Sequence, residues 1–318
     1  QDDRAVARLR KRKSREEKPL AIMVRDLGTA SGIAHIGEVE RLLLMSPTRP
    51  IVVCRAKTPS AVSGLVAPHM GTLGIMLPYT PLHHLILERD CEILVMTSAN
   101  VTDEPICICN QEAITRLSGI ADAFVVHDRE ILVRCDDSVV MMAMNQPYMI
   151  RRSRGYAPRP TPLGETLPAV LALGAHLKST VCIVKEDKAF LSPHIGDLET
   201  PLARDFFHET LDLMQRIARL RPDVLACDMH PGYYSTRVAE TSGASLVIRI
   251  QHHHAHVVSC MAEHRIRGPV IGIAMDGTGY GEDGTVWGGE FLAADEMAFT
   301  RMAHLRYLPL PGGDAAIR

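Results

Sequence analysis

A chain of 318 residues, 46% hydrophobic and 23% charged with a mean hydropathy of +0.03, carries enough apolar material for a large core; at about 150 residues per domain, two domains are expected. The 35 Lys+Arg and 37 Asp+Glu leave a net charge of −2, which excludes the whole-chain basic footprint of a nucleic-acid binder. No run reaches the roughly 18 apolar residues of a membrane span, no charged-apolar-small leader precedes the first strand, and eight cysteines without a C-x-x-C pair read as reduced thiols of a cytoplasmic protein. Neither membrane nor nucleic acid is expected as a partner. A start at Gln1 and an end at Arg318, just past Gly312-Gly-Asp314, read as a fragment of something longer.

Residues 1–18 hold eight basic and four acidic side chains, densest from Arg8 to Arg15; the run reads as a solvated helix end. Pro19–Val24 is a short apolar run typical of a buried strand, so the basic cluster would stand at a strand mouth where an anion could be met. Strands are then expected at 51–54, 92–96, 123–126 and 139–142, with helices at 37–45 and 111–118, giving a mixed α/β region. The prolines of Ala157-Pro-Arg-Pro-Thr-Pro162, with Pro168 beyond them, favour an extended polyproline linker. They put the boundary between domains spanning 1–162 and 163–318. Further on, strands are expected at 170–174, 181–184 and 189–191. A helix follows, opened by Thr200-Pro201 and presenting Leu202, Phe206, Leu213, Ile217 and Leu220 on one face. Strand 224–227, helix 232–241, strand 246–250 and helix 252–264 come next. A final hairpin would pair 270–275 with 286–293.

The sharpest chemical signal is Gln251-His-His-His-Ala-His256, where a strand gives way to a helix. His252 and His256 are its i,i+4 pair and share one helical face, the arrangement with which H-x-x-x-H chelates a divalent metal. His253 and His254 point off that face and should matter less. Asp276, at the end of a strand expected beside the first, is the third candidate ligand. It opens Asp-Gly-Thr-Gly-Tyr-Gly281, a glycine-rich turn in which Gly277, Thr278 and Gly279 could bring backbone N–H groups to phosphate. Asp197 and Asp228 each follow a buried strand, a common site position in α/β folds. In the first half, Met96-Thr-Ser-Ala-Asn100, Arg134-Cys-Asp-Asp-Ser138 and Arg151-Arg-Ser-Arg-Gly155 place polar groups at strand ends without forming a nucleophile–base pair. The residues by themselves support an anion-binding α/β domain followed by a metal–nucleotide domain.

Read together, Lys18–Met23, Leu77-Pro-Tyr-Thr-Pro-Leu-His-His84, Met96–Asn100, Asp136–Val140 and Arg151–Gly155 resemble the YrdC-like domain of the HypF family of hydrogenase-maturation carbamoyltransferases. Leu173-Gly174, Leu177-Lys178, Ser192–Glu199, Gln251–His256 and Asp276–Glu290 are similar to that family's Kae1-like domain, an actin/Hsp70-type ATPase fold. The resemblance implies a two-step reaction using ATP with Mg²⁺. Carbamate, derived from carbamoyl phosphate, is first joined to AMP with release of pyrophosphate. The carbamoyl group then passes to the carboxy-terminal cysteine of the partner HypE as the precursor of a cyanide ligand. It further implies that Lys13, Arg15, Ser98, Asn100, Ser138 and an arginine of 151–154 (Arg152 or Arg154) bind the adenylate. His252, His256 and Asp276 would hold a divalent metal, for which Zn²⁺ and Fe²⁺ suit the donors equally. Lys178 and Asp228 would be catalytic, with Lys178 and the 276–281 loop on nucleotide. The first strands of the YrdC-like domain and the end of the Kae1-like domain are expected to be missing, as are the acylphosphatase-like and zinc-finger parts. Transfer of threonylcarbamoyl to tRNA, and a non-catalytic nucleotide- or RNA-binding module, remain the competing readings.

Overall fold

The computed structural model describes residues 2–88 and 91–309, which divide into two compact units. Of the described residues, the first comprises those up to 159 together with 177–180 and 191–214; the second comprises 160–176, 181–190 and 215–309. Among the described residues no helix is long and apolar enough to cross a membrane.

The first unit runs α1 (Asp3–Arg12), β1 (Ala21–Val24), α2 (Leu27–Ile33), β2 (Ala34–His35), α3 (Glu38–Met45), β3 (Ile51–Ala56), β4 (Thr72–Met76), α4 (Pro81–Leu87), β5 (Ile93–Met96), α5 (Asn110–Leu117), β6 (Val139–Ala143) and β7 (Gln146–Arg151). Its mixed sheet has the order β5-β1-β4-β3-β6-β7, with β2 added to β3. β1 lies parallel to β4 and antiparallel to β5. Both of its faces are covered: Ile22 and Val24 enter a core with Val6, Val52, Val66 and Ile75, while Met23 joins Met76 and Leu87. That is why β1 reads as an unbroken apolar run rather than an alternation. Helix starts follow their caps: Asp2 accepts the Arg4 N–H, Asp26 the Thr29 N–H and Thr80 the His83 N–H, with Pro81 in the first turn of α4.

One expectation for this unit fails and another holds only in part. Residues 123–126 form no strand, and Val125 and Val126 lie exposed; four apolar residues without a paired neighbour do not make a ladder. The basic run is a solvated helix end only in part: Arg4, Arg8, Lys11 and Lys18 are exposed. Arg10 and Lys13 are buried, and Arg10 donates to the carbonyls of Leu65, Val66, Arg15 and Glu16. It thereby fastens α1 to the short 3₁₀ turn Gly64–Val66.

The chain continues with β8 (Pro160–Ala172), β9 (Cys182–Leu191), α6 (Pro201–Ala218), β10 (Val224–Asp228), α7 (Tyr234–Thr241), β11 (Leu246–Ile250), α8 (His252–His264), β12 (Val270–Ala274), β13 (Gly279–Tyr280), β14 (Val286–Trp287), β15 (Glu290–Ala294) and β16 (Phe299–His304). One sheet has the order β11-β10-β8-β9, a second β12-β15-β16, and β13 pairs β14 in a ribbon. Of the proline-rich stretch expected as a linker, Ala157 and Pro158 lie in a turn, while Pro160–Pro162 open β8 and pair antiparallel to β9. β10 joins β8 only at 170–172, so Pro160 and Pro162 occupy the part of the strand with one open edge, where a missing N–H is tolerated. The strands expected at 181–184 and 189–191 are one strand, β9. The buried stripe of α6 is Ala203, Phe206, Phe207, Thr210, Leu211, Met214 and Ala218, while Leu202 and Ile217 are exposed. Two adjacent phenylalanines, Phe206 and Phe207, are both buried, which turns the helix from the face expected. β12 pairs with Glu290–Ala294, not with 286–293 as a whole, and it belongs to a different sheet from β11.

α8 packs on β12 and β15 through Val257, Met261, Leu292 and Ala294. Close approach depends on Gly272, where an added Cβ would stand 2.3 Å from Val257 Cγ2 and 3.2 Å from its Cβ. A rotamer change of Val257 cannot clear both. We therefore expect Gly272→Ala to destabilise the second unit by about 1–3 kcal/mol, the usual cost of overpacking, measured by denaturant unfolding. Val257→Ala in the same chain should recover part of the loss; an unchanged midpoint in the single variant would contradict the packing.

Candidate functional site

Three elements of the second unit converge at the start of α8. Gln251 caps the helix, its side-chain oxygen accepting the His254 N–H at 2.9 Å. The cap fixes the rotation of the first turn and presents His252 and His256 together. Their Nε2 atoms lie 3.2 Å apart, and Asp276 Oδ2 lies 2.7 Å from the first and 3.8 Å from the second. One donor atom from each residue falls within a 4.8 Å group. A concavity of about 240 Å³ opens beside His256 and Asp276, lined also by Ile273, Ala274 and Met275. On the far side of His252, Nδ1–H donates to Asp228 Oδ2 at 2.6 Å. Asp228 is buried at the end of β10, where its other oxygen accepts the His230 N–H at 2.8 Å and its carbonyl accepts the Thr236 hydroxyl. A carboxylate behind a ligating imidazole fixes its tautomer and raises its basicity. The donor set, two imidazoles and one carboxylate with one open side, fits a divalent metal of the zinc or ferrous kind.

The charges agree with the geometry. Hydrogen bonds to Asp228 and Asp276 raise the His252 imidazole to about 9 against burial. Hydrogen bonds from His252, then His256, hold Asp276 far below the ordinary carboxylate range. With both ring nitrogens facing carboxylates, His252 is doubly protonated when no metal is present.

The neighbouring histidines point off the ligand face, as expected, and are packed inside the fold. His253 is fully buried and His254 nearly so; His254 Nε2 donates to the Asp295 carbonyl at 2.8 Å. Gly277 and Thr278 form the bend after Asp276. An added Cβ on Gly279 would stand 2.3 Å from His253 Cε1, so packing already requires that glycine.

In the first unit Lys13, Ser98 and Asn100 come together. Lys13 Nζ donates to the Ser98 carbonyl (2.8 Å), the Asn100 carbonyl (2.9 Å) and Asn100 Oδ1 (3.1 Å), and the Ser98 hydroxyl donates to Asn100 Oδ1 at 2.7 Å. These partners are uncharged oxygens. Burial, then Arg15, lowers the Lys13 ammonium to about 8. Thr97, which the sequence did not single out, has a buried hydroxyl with no hydrogen-bond partner among the described residues.

The other expected residues are placed as follows. Arg15 donates to the carbonyls of Lys18 and Pro19. Ser138 is buried, accepting the Ser153 N–H and donating to the Arg154 carbonyl. Arg154 spends three donors on Asp137, the Thr48 carbonyl and the Arg49 carbonyl, and its guanidinium lies 3.6 Å from the Tyr79 ring centroid. Arg152 donates to the Arg159 carbonyl. Lys178 donates its backbone N–H to Asp197 Oδ1 at 2.6 Å and belongs to the first unit, whereas the 276–281 loop belongs to the second.

Comparison with known proteins finds matches in both halves of the chain. Three family models match: one described as telomere recombination (the Sua5/YciO/YrdC domain) over 1–153, the HypF Kae1-like domain over 165–263, and the second subdomain of the carbamoyltransferase Kae1-like domain over 272–318. The order of an α/β YrdC-type unit and a Kae1-like unit with a histidine–carboxylate cluster defines a protein of carbamoyltransferase architecture. The chain is 47% identical over 99% of its length to carbamoyltransferase HypF2 of Cupriavidus necator and 45% identical over its whole length to HypF of Rhizobium leguminosarum bv. viciae. A crystal structure of full-length HypF in the phosphate- and nucleotide-bound form superposes with a TM-score of 0.95 at 46% identity over 99% of this chain. HypF of T. kodakarensis gives 0.93 at 37% identity, likewise over 99%. The chain belongs to the HypF carbamoyltransferase family. It spans 42% of the length of each of these four relatives.

Two outcomes follow from the charges. At pH 7–8 zinc binding should release about one proton from His252, and zinc affinity should rise with pH up to about 9, not level off near the ordinary imidazole value. In Asp228→Asn that window should move down and affinity should fall about tenfold. Proton release in weak buffer measures it, and pH-independent affinity from 6.5 to 9 would refute the assignment. In the first unit, Lys13→Ala should weaken ATP binding by roughly 1.5–3 kcal/mol, the worth of a hydrogen bond to a charged group. The gap between wild type and variant should narrow as pH rises through about 8, where the ammonium is lost. Calorimetry across that range reads both effects, and equal ATP affinities at pH 7 would exclude Lys13 from the site.

Proposed function

We propose that this chain performs both steps of carbamoyl transfer in [NiFe]-hydrogenase maturation, with activation in residues 1–162 and transfer in residues 163–318. The observation that carries the reading is the convergence of His252, His256 and Asp276, backed by Asp228, in a chain of the HypF carbamoyltransferase family.

In the activation step, carbamate oxygen attacks the α-phosphorus of ATP and pyrophosphate leaves, giving carbamoyl-adenylate. Lys13 suits this chemistry because a buried ammonium satisfied only by neutral oxygens is stabilised by an anion brought beside it. Thr97, Ser98 and Asn100 supply hydroxyl and amide groups at the same turn. The relative whose structure is described as phosphate- and nucleotide-bound supports nucleotide as ligand; Mg²⁺ would accompany ATP. In the transfer step, the thiolate of the carboxy-terminal cysteine of HypE attacks the carbamoyl carbon and AMP leaves. His252, His256 and Asp276 would hold a divalent metal, which supplies Lewis acidity toward an oxygen of the bound nucleotide or carbamoyl group. Asp228 keeps His252 in the tautomer that offers Nε2, and Asp276 carries the negative charge that balances the cation.

The test is isotope exchange between pyrophosphate and ATP with the full chain, with carbamate supplied as ammonium carbamate. Exchange should depend on carbamate and persist in His252→Ala plus His256→Ala, a variant expected to lose bound metal in elemental analysis and carbamoylation of the partner thiol. Exchange driven by threonine plus bicarbonate, or by neither, would overturn the activation step. Stoichiometric metal in the double variant would overturn the site.

A further inference from the structure

The first turn of α8 contains a histidine that neither holds metal in the proposed centre nor reaches solvent. His253 is fully buried. Gln251, 3% exposed, hydrogen-bonds it: Nε2 of the amide lies 3.2 Å from His253 Nδ1 and 3.2 Å from the Tyr280 carbonyl, while the amide oxygen accepts the His254 N–H. Every polar atom of Gln251 is thereby committed. Since the amide nitrogen can only donate, His253 Nδ1 must accept and its proton resides on Nε2. Burial pushes this imidazole below the ordinary histidine range. Nε2 is buried with no partner at hydrogen-bonding geometry among the described residues. The Asp276 main chain lies beside the ring, and its carbonyl accepts the Gly289 N–H at 3.2 Å. The ring packs against Gly279, where a Cβ would meet Cε1 at 2.3 Å and Nδ1 at 2.8 Å, and it stacks on Trp287 at 6.3 Å between centroids.

We propose that His253 is a positioning residue of the candidate metal centre: its ring, oriented by Gln251, backs Gly279 and the Asp276 main chain and so holds the Asp276 carboxylate against His252 and His256. The inference rests on the reading of those three residues as metal ligands. Its physical basis is that β12 leaves Asp276 in a bend between two strands, where its own backbone ladder does not fix the carboxylate. The close contact of the His253 ring with Gly279 seats the bend on α8, and a buried donor beside the Asp276 main chain gains from a hydrogen bond to it. His252 and His256 are then set by helix geometry and Asp276 by the ring between them in sequence. Three histidines of the run thus form one device: one face of α8 supplies two ligands, and His253 on another face supports the third.

The test titrates zinc alone into the full chain against a chromophoric chelator, well below each variant's unfolding temperature. His253→Ala should bind zinc about tenfold or more weakly although all three ligands remain, the range set by groups that orient ligands. His253→Gln, whose amide can still donate toward Asp276, should recover to within about threefold; this rescue separates positioning from bulk packing. His254→Ala removes an equally placed buried ring that faces Asp295 and should lower thermal stability without weakening zinc. Wild-type zinc affinity in His253→Ala would overturn the proposal, as would equal losses in the Ala and Gln variants. Should His253→Ala fail to fold, Gly279→Ala tests the same contact from the other side. Its methyl group should weaken zinc binding, and unchanged affinity would overturn the proposal. If His252→Ala plus His256→Ala bound zinc as the wild type does, the metal centre itself would fall, whatever the His253 variants did.

Discussion

The second unit is organised around the hydrogen-bonded charge of His252. A cation in the first turn of a helix meets the positive end of the macrodipole, a penalty of about 0.3–1 kcal/mol, and four histidines there would ordinarily stay neutral. The carboxylates of Asp228 and Asp276 reverse the outcome. Raising the imidazole from 6.5 to about 9 corresponds to roughly 3 kcal/mol of preference for the charged form, several times the dipole term. Two carboxylates aimed at one imidazole also repel each other, so their approach is tolerated only while something cationic stands between them. In the metal-free chain that is the imidazolium; in the proposed metal-bound chain the metal takes over the charge on the Asp276 side and Asp228 keeps the remaining proton.

Such a balance requires three distant segments to meet within a few ångströms, and small residues make the meeting possible. Asp228 arrives at the end of β10, the histidines at the start of α8, and Asp276 after β12. β10 and β12 lie in different sheets, so no ladder sets their spacing. The spacing is set by side-chain contact across α8: Val257 over Gly272 on one turn, His253 over Gly279 on another. Each glycine removes a Cβ that would otherwise push β12 or the following bend away from the helix. The site thus depends on packing density several residues from any ligand.

The i,i+4 pair was legible in the sequence because helical periodicity fixes which residues share a face, and α8 spans the expected 252–264. Asp276 was legible as a strand-end carboxylate, although the neighbouring strand expected to deliver it lies in another sheet. What the sequence could not reveal was burial inside the same motif: a run of histidines carries no mark distinguishing His252 from His253 except position, and position says nothing of what packs on the opposite face. The one available hint was Gln251, a capping amide ahead of the run. The proline-rich stretch misled for a related reason. Alternating prolines predict an absence of donors, and β8 supplies a use for that absence on an unpartnered edge. The basic run at the amino end misled in part, because charge counts do not reveal carbonyls; Arg10 finds four of them inside the fold.

The two units use ionisable groups in opposite ways. Around His252 the buried cation has more anionic partners than it needs, so its proton is held tightly and a divalent metal is the natural replacement. Around Lys13 the buried cation has only carbonyl and amide oxygens, so its charge is incompletely compensated and the ammonium titrates near 8. An excess of negative charge selects a cation, and a deficit selects an anion. For the proposed sequence of ATP in the first unit and a carbamoyl group beside a metal in the second, those are the two imbalances required. Each is built by the same means: a side chain at a helix end, held against the turn of a distant strand by neutral groups in the first unit and by carboxylates in the second.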